Sequence, residues 1–283
     1  MPAIAKLLSL LSQVGPIKMV TIRENRYPFL TKVGNWNRDT NKTGDTLVEK
    51  CCHFFDLFRL ITQREVKTDD SDSIRAFAQR GLNYRHEASY EELKRPIIDS
   101  AYVIMTFDEK RHMTPDDGPS ETDTCDTPVR VKTKEAPIGC LELCMFAEGS
   151  RHQEEIIVTG MEGRVEAYLP ENKVFLFKRP TTEVWADRDE PPSSSAVQPT
   201  VFDCSDISAV HDMLTDSNGD GNATLHAGYH YCSTAVAWDL LLDALNKYDE
   251  TGLWAPHVSL SDGIRAVELG LAATSSLNWA TDA

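Results

Sequence analysis

Glu49, His53 and Asp56 stand at i, i+4 and i+7 within the stretch "GDTLVEKCCHFFDLFRL", residues 44–60. A carboxylate one helical turn from an imidazole can orient the ring and raise its pKa, giving a proton-transfer group usable near neutral pH. On a helix the three residues share nearly one azimuth. That face is distinct from the apolar stripe of Leu47, Cys51, Phe54, Phe58 and Ile61, whose spacing suits docking on a core. The same spacing also describes an ordinary Glu–His surface pair, so the residues alone leave both readings open.

Two other arrangements have the outline of metal sites. "DSNGDGNATLHA" sets Asp216, Asn218, Asp220 and Gly221 in calcium-loop order, but Ala227 stands where the loop needs a bidentate Glu. An Asx-turn loop is the expectation there. His226 and His230 are at i, i+4, a spacing that suits zinc, yet no third ligand or base accompanies them. No metal is expected. The sequence contains no G-x-G-x-x-G, Walker loop, G-x-S-x-G or H-E-x-x-H motif.

The elements that must position the Glu49–Asp56 group follow from periodicity. Ile4, Leu7, Leu8 and Leu11 form an amphipathic helix with Pro2 near its first turn. This segment lacks the basic start and the cleavage site of a signal peptide. "IKMVTIR" alternates as a strand, and a loop rich in turn formers carries Trp36, Asn37 and Arg38 toward a helix over residues 46–61. "SIRAFA" and "AYVIMTF" read as strands. "GCLELCMFA", "EEIIVTG", "RVEAYLP" and "KVFLFKR" read as a four-stranded meander. Two helices close the chain, over about residues 229–248 and 261–276. The expected architecture is a single α+β domain over residues 1–283, with a mainly antiparallel open sheet and helices packed on one face. Residues 108–137 read as a mobile insertion, and residues 181–200 and 212–224 as loops.

Composition narrows the partners. A net charge of −15 argues against nucleic acid and against an anionic membrane surface. No apolar run is long enough to span a bilayer. Seven cysteines without a C-x-x-C pair suggest buried reduced thiols, hence a cytoplasmic protein.

The order of segments resembles the C-terminal domain of the Gfo/Idh/MocA family, the glucose–fructose oxidoreductase and inositol dehydrogenase relatives. The resemblance rests on "GPIKMVTIREN" leading into "GDTLVEKCCHFFD", then on "LELCMFAEGSRHQEEIIVTGMEGRVEAYLP" and "WAPHVSLSDGIRAVELGLAATSS". It implies NAD or NADP as cofactor and a sugar, cyclitol or polyol as substrate. It also implies that His53 exchanges the proton of the substrate hydroxyl, with Glu49 beside it. Trp36, Asn37, Arg38 and Asp56 are then the expected substrate-binding residues, although Gly44–Asp45 replaces the family's Gly-Gly turn. Members of the family carry a Rossmann domain with a Gly-rich phosphate loop and a Glu-Lys-Pro motif, and neither motif occurs in these 283 residues. The expectation is the substrate half of an oxidoreductase that binds no cofactor by itself and self-associates through its sheet face. The alternative is a non-catalytic binding or assembly module of the same ancestry.

Overall fold

Strand β1 (Ile17–Asn25) alternates, with Val20, Ile22 and Glu24 buried on one face and Met19, Thr21 and Arg23 more open on the other. That period of two recurs through the sheet and divides it into a covered face and an open face. The computed structural model describes residues 1–30, 32–81, 96–110, 136–179, 198–205 and 233–277. The calcium-like loop around Asp216–Gly221 and the His226/His230 pair lie outside these residues, as do most of the expected insertion and loops.

Helix α1 (Pro2–Leu10) runs through a 3₁₀ turn, Leu11–Val14, into β1. The next segment holds a 3₁₀ stretch, Val33–Arg38, and three helices, α2 (Thr40–Thr43), α3 (Thr46–Glu49) and α4 (Cys52–Thr62). The strands that follow are β2 (Arg64–Glu65), β3 (Ile74–Arg80), β4 (Ile98–Thr106), β5 (Glu109–Lys110), β6 (Ile138–Cys144), β7 (Glu154–Gly160), β8 (Gly163–Leu169), β9 (Lys173–Lys178) and β10 (Thr200–Asp203). Helices α5 (Ser233–Thr251) and α6 (Leu260–Ser275) complete the order.

Eight strands form one sheet in the order β10-β9-β8-β7-β1-β6-β4-β3, and β2 and β5 form a separate pair. All neighbours are antiparallel except β1 and β6, which are parallel. The expected mainly antiparallel α+β architecture holds. The expected meander of β6 to β9 does not, because β1 lies between β6 and β7, so of those four strands only β7, β8 and β9 are consecutive neighbours. The physical reason is that β6 and β7 both present apolar residues to the core at the level of β1: Val20 sits opposite Val158, and Ile22 lies between Leu141 and Ile156. Strand β10, within and just beyond the residues read as a loop, adds an edge to β9.

The covered face packs against the helices. Leu7 of α1, Phe55 and Phe58 of α4, and Leu269 and Ala273 of α6 join Val103, Leu141, Val158, Val165 and Val174 in one core. Gly139 leaves room where the Phe58 and Phe107 rings stack, and a Cβ there would stand 2.7 Å from Phe107. Gly270 lets α6 lie directly on α3, since a Cβ there would meet the Leu47 carbonyl oxygen at 2.6 Å.

Arg59 fastens the same helices by charge. Its guanidinium is buried, with 2% of the side chain exposed. It grips both Glu65 oxygens at 2.7 Å, Asp56 at 2.9 Å, and the carboxylate and carbonyl oxygens of Asp262. Asp262 also closes a capping box with Ser259 at the start of α6. A buried cation is tolerable only when its donors are matched in this way. Arg59→Met should therefore lower the unfolding free energy by about 3 kcal/mol, read from urea denaturation.

Candidate active site

The helix expected over residues 46–61 is interrupted. The Thr46 carbonyl accepts from Lys50 N at 3.0 Å and from Cys51 N at 3.1 Å, the second being an i→i+5 bond. This widened turn separates α3 from α4, and such insertions are common at functional sites.

The start of α3 is held from below. Asp45 adopts φ 82°, a conformation suited to glycine. Its carboxylate accepts from Thr46 N at 2.8 Å and Ile98 N at 2.9 Å, and it pairs with Arg80. Those bonds offset the strain and tie the helix start to β3 and β4. Gly44 at φ 72° and Asp45 at φ 82° thus both take backbone angles suited to glycine.

His53 lies on the outward side of α4, opposite the buried Phe54, Phe55 and Phe58. No hydrogen bond joins it to Glu49. The Glu49 carboxylate lies 4.0 Å from Lys32 Nζ, and Asp56 is bound by Arg59. The expected rise in the imidazole pKa does not occur. Burial lowers it and the Lys50 ammonium lowers it further, against the opposing pull of Glu49, Asp56 and Glu154. His53 is therefore held toward the neutral form, which accepts a proton.

The loop residues divide. Trp36 is exposed, with Lys32 Nζ 4.6 Å from its ring centroid. Asn37 is buried and donates through Nδ2 to the Leu30 carbonyl at 3.0 Å, and Arg38 donates to the Phe29 carbonyl. Those two side chains close the loop upon itself, because its backbone carbonyls need donors once covered. Of the three, Trp36 is the one presented outward.

Sequence reasoning missed a buried charge beneath the helix. Glu24 is fully buried at the end of β1, with Lys50 Nζ at 3.4 Å and Arg26 Nη1 at 3.7 Å. Burial, with Glu154 nearby, pushes its pKa up to about 7, although Lys50 and Arg26 pull the other way. A signal was available: Glu24 shares the period-two face of Val20 and Ile22. Beside it Cys51 is buried and its thiol is pushed far up by burial, so it is not a nucleophile. Among the described residues no group of three or more His, Cys, Asp or Glu side chains could hold a metal ion, and no helix is long and apolar enough to cross a membrane.

An eight-stranded, mainly antiparallel sheet with helices on one face carries a histidine-bearing helix at the end of its central strand, the architecture of an α+β domain. Residues 9–281 match the family described as "Oxidoreductase family, C-terminal alpha/beta domain", and the chain belongs to that Gfo/Idh/MocA family. No curated protein matches the sequence. Solved structures share the fold at low identity. An NAD binding oxidoreductase from Klebsiella pneumoniae is 13% identical with a TM-score of 0.59, over 98% of this chain and 61% of its own. An oxidoreductase domain protein from Kribbella flavida is 17% identical with a TM-score of 0.57, over 97% and 60%. The WlbA dehydrogenase from Bordetella pertussis, solved with NADH and UDP-GlcNAcA, is 12% identical with a TM-score of 0.53, over 98% and 57%. The chain thus spans about three fifths of the length of these structures.

The raised pKa of Glu24 has a consequence for stability. A carboxyl whose folded pKa exceeds its ordinary 4.5 favours the folded state at low pH, and that contribution is lost as pH climbs from about 4.5 through about 7. Glu24→Gln should flatten this part of the profile, so that urea midpoints at pH 5 and pH 8 lie closer together than in the wild type.

Proposed function

We propose that these residues form the substrate-binding and proton-transfer part of an NAD(P)-dependent dehydrogenase acting on a sugar, cyclitol or polyol hydroxyl. The observation that carries this reading is His53. It stands outward at the end of the central strand, anchored by a buried helix and held toward its neutral form by its surroundings. The family membership, and the NADH and UDP-GlcNAcA in the WlbA structure, support the substrate class and the cofactor.

In this reading a nicotinamide cofactor, when held by a nucleotide-binding domain, would supply the hydride acceptor for the substrate carbon. His53 accepts the hydroxyl proton at an imidazole nitrogen. Glu49, 4.0 Å from Lys32, orients the substrate hydroxyls together with that lysine. Trp36, under the Lys32 ammonium, offers an apolar wall against which the faces of a sugar ring can rest. Asn37 and Arg38 fix the shape of the loop. In an enzyme that includes a nucleotide-binding domain, His53→Ala should lower kcat by ~10²–10⁴-fold, the usual loss for one positioned acid–base group. Glu49→Gln should cost less. Near-normal turnover of His53→Ala, with folding intact by circular dichroism, would count against catalysis at this helix.

Self-association through the open face of the sheet belongs to the same proposal. That face exposes Met19, Phe77, Tyr102, Ile104, Ile138 and Val201. Across its middle, Arg23 bridges Glu142 at 2.8 Å and Glu155 at 2.7 Å, which aligns charges beside the apolar residues. A second copy with the same mixture would cover both kinds of group. Tyr102→Glu with Ile104→Glu should turn a dimer or larger species into a monomer in light scattering. A wild-type chain that stays monomeric across a hundredfold range of concentration would refute this part.

A further inference from the structure

Helix α6 is apolar on two faces. Ala266, Leu269, Gly270 and Ala273 turn inward, where Gly270 lies against Leu47 and the helix start meets Arg59 through Asp262. The helix therefore runs antiparallel along α3 and α4, which carry Glu49 and His53. Leu260, Ile264, Val267 and Leu271 recur at spacings of four, three and four, roughly a third of a turn round the helix from the buried face. All four are exposed, Leu260 by 82%. A helix with apolar residues around most of its circumference is normally buried. Helix α5 repeats the pattern. Trp238, Leu241, Leu245 and Tyr248 form a seam at spacings of three, four and three, and each is exposed. Trp254, in the connection between the helices, stands edge-on to Tyr248 with ring centroids 6.2 Å apart and is exposed as well. Isolated apolar side chains are normal on a surface, but two adjoining seams of them mark an interface.

We propose that the exposed seams of α5 and α6 are the docking surface for the nucleotide-binding domain that the proposed reaction requires. This rests on the dehydrogenase reading given above. Position selects that occupant first. Because α6 lies along α3 and α4, a domain seated on its outer seam stands beside the helix of His53, and a nicotinamide must come within contact of a hydroxyl bound there. Reach agrees with it. Residues 252–259 join the two helices and extend at most ~32 Å, so one globular domain of ordinary size can touch both seams. Charge then argues against a second copy. Helix α5 carries Asp239, Asp243, Asp249 and Glu250 against Lys247, and a symmetric pair would bring that acidic rim against itself. A partner with an apolar patch and a basic rim fits instead. The chain also spans about three fifths of the length of the structures that share its fold, which leaves a domain's worth of those chains outside the match.

The test compares the 283-residue chain with an enzyme in which a nucleotide-binding domain is joined to it, by hydrogen–deuterium exchange in the presence of NADH. Residues 238–248 and 260–271 should exchange more slowly in the joined enzyme. Ile264→Gln with Leu271→Gln should abolish that protection over residues 260–271, while NADH still binds because the added domain holds it. Seams that gain no protection, or protection that survives the substitutions, overturn the proposal. In the 283-residue chain the same two substitutions should leave the urea midpoint unchanged, since those side chains meet solvent there. A lowered midpoint means that the seam packs within the chain, and overturns the proposal too. The second copy is tested by light scattering of the 283-residue chain carrying Tyr102→Glu and Ile104→Glu, which removes the open-face contact. A monomer is expected, and a dimer that Ile264→Gln with Leu271→Gln dissociates would make a second copy the occupant instead. Exchange does not depend on turnover, so the two readings fail separately. Protected seams with normal turnover in His53→Ala keep the docking surface and reject the catalytic reading. Unprotected seams with His53→Ala inactive do the reverse.

Discussion

Strand β1 is the constraint on which the rest of the molecule depends. The strands on one side of it, β7 to β10, and on the other, β6, β4 and β3, meet only through its two hydrogen-bonded edges. Its covered face must be apolar where it lies mid-sheet, and Val20 and Ile22 supply that. Its far end then delivers Glu24 beneath the helical segment. The chain leaves β1 into the loop that carries Lys32 and Trp36 and returns as α3 and α4. The residues proposed for chemistry therefore gather at the end of the strand that joins the two halves of the sheet.

The site is rigid below and open above. Phe54, Phe55 and Phe58 anchor α4, Arg59 locks it to Glu65 and α6, and Gly270 allows α6 to press on α3. Asp45 accepts an unfavourable backbone angle in exchange for bonds to two other segments. Each of these contacts fixes the base of the helix, while His53 and Trp36 stay outward. Groups that must be placed accurately are generally carried on elements whose other faces are already committed to packing.

Electrostatics at the site do not follow the simplest pairing. A helix with Glu49 and His53 four residues apart suggests a carboxylate that raises the imidazole pKa. Burial reverses the direction, and the Lys50 ammonium adds to the reversal. The acidic balance of the whole chain, −15, says nothing about this local field, because Lys50, Arg26 and Lys32 gather where it matters. Glu24 is itself pushed up to about 7 by burial, although Lys50 and Arg26 pull the other way.

By itself the sequence determined the local elements, because periodicity is a property of neighbouring residues. The alternation in β1, the strands around residues 74–80, 98–106 and 138–178, the amphipathic first helix and the last helix were all legible. So was the segment order that placed the chain in its family, together with Glu49 and His53 as its chemical candidates. Sequence could not decide which strands lie side by side. The consecutive run after residue 138 suggested a meander, and only packing placed β1 between β6 and β7, since strand partners are chosen by matching apolar faces across long separations. Nor could it decide that Asn37 and Arg38 close their own loop, that Asp56 belongs to Arg59, or that Glu24 meets Lys50. Those assignments depend on distances between residues far apart in the chain or on which way a turn rotates a side chain. One i→i+5 hydrogen bond is enough to change that rotation, and no spacing rule reveals it.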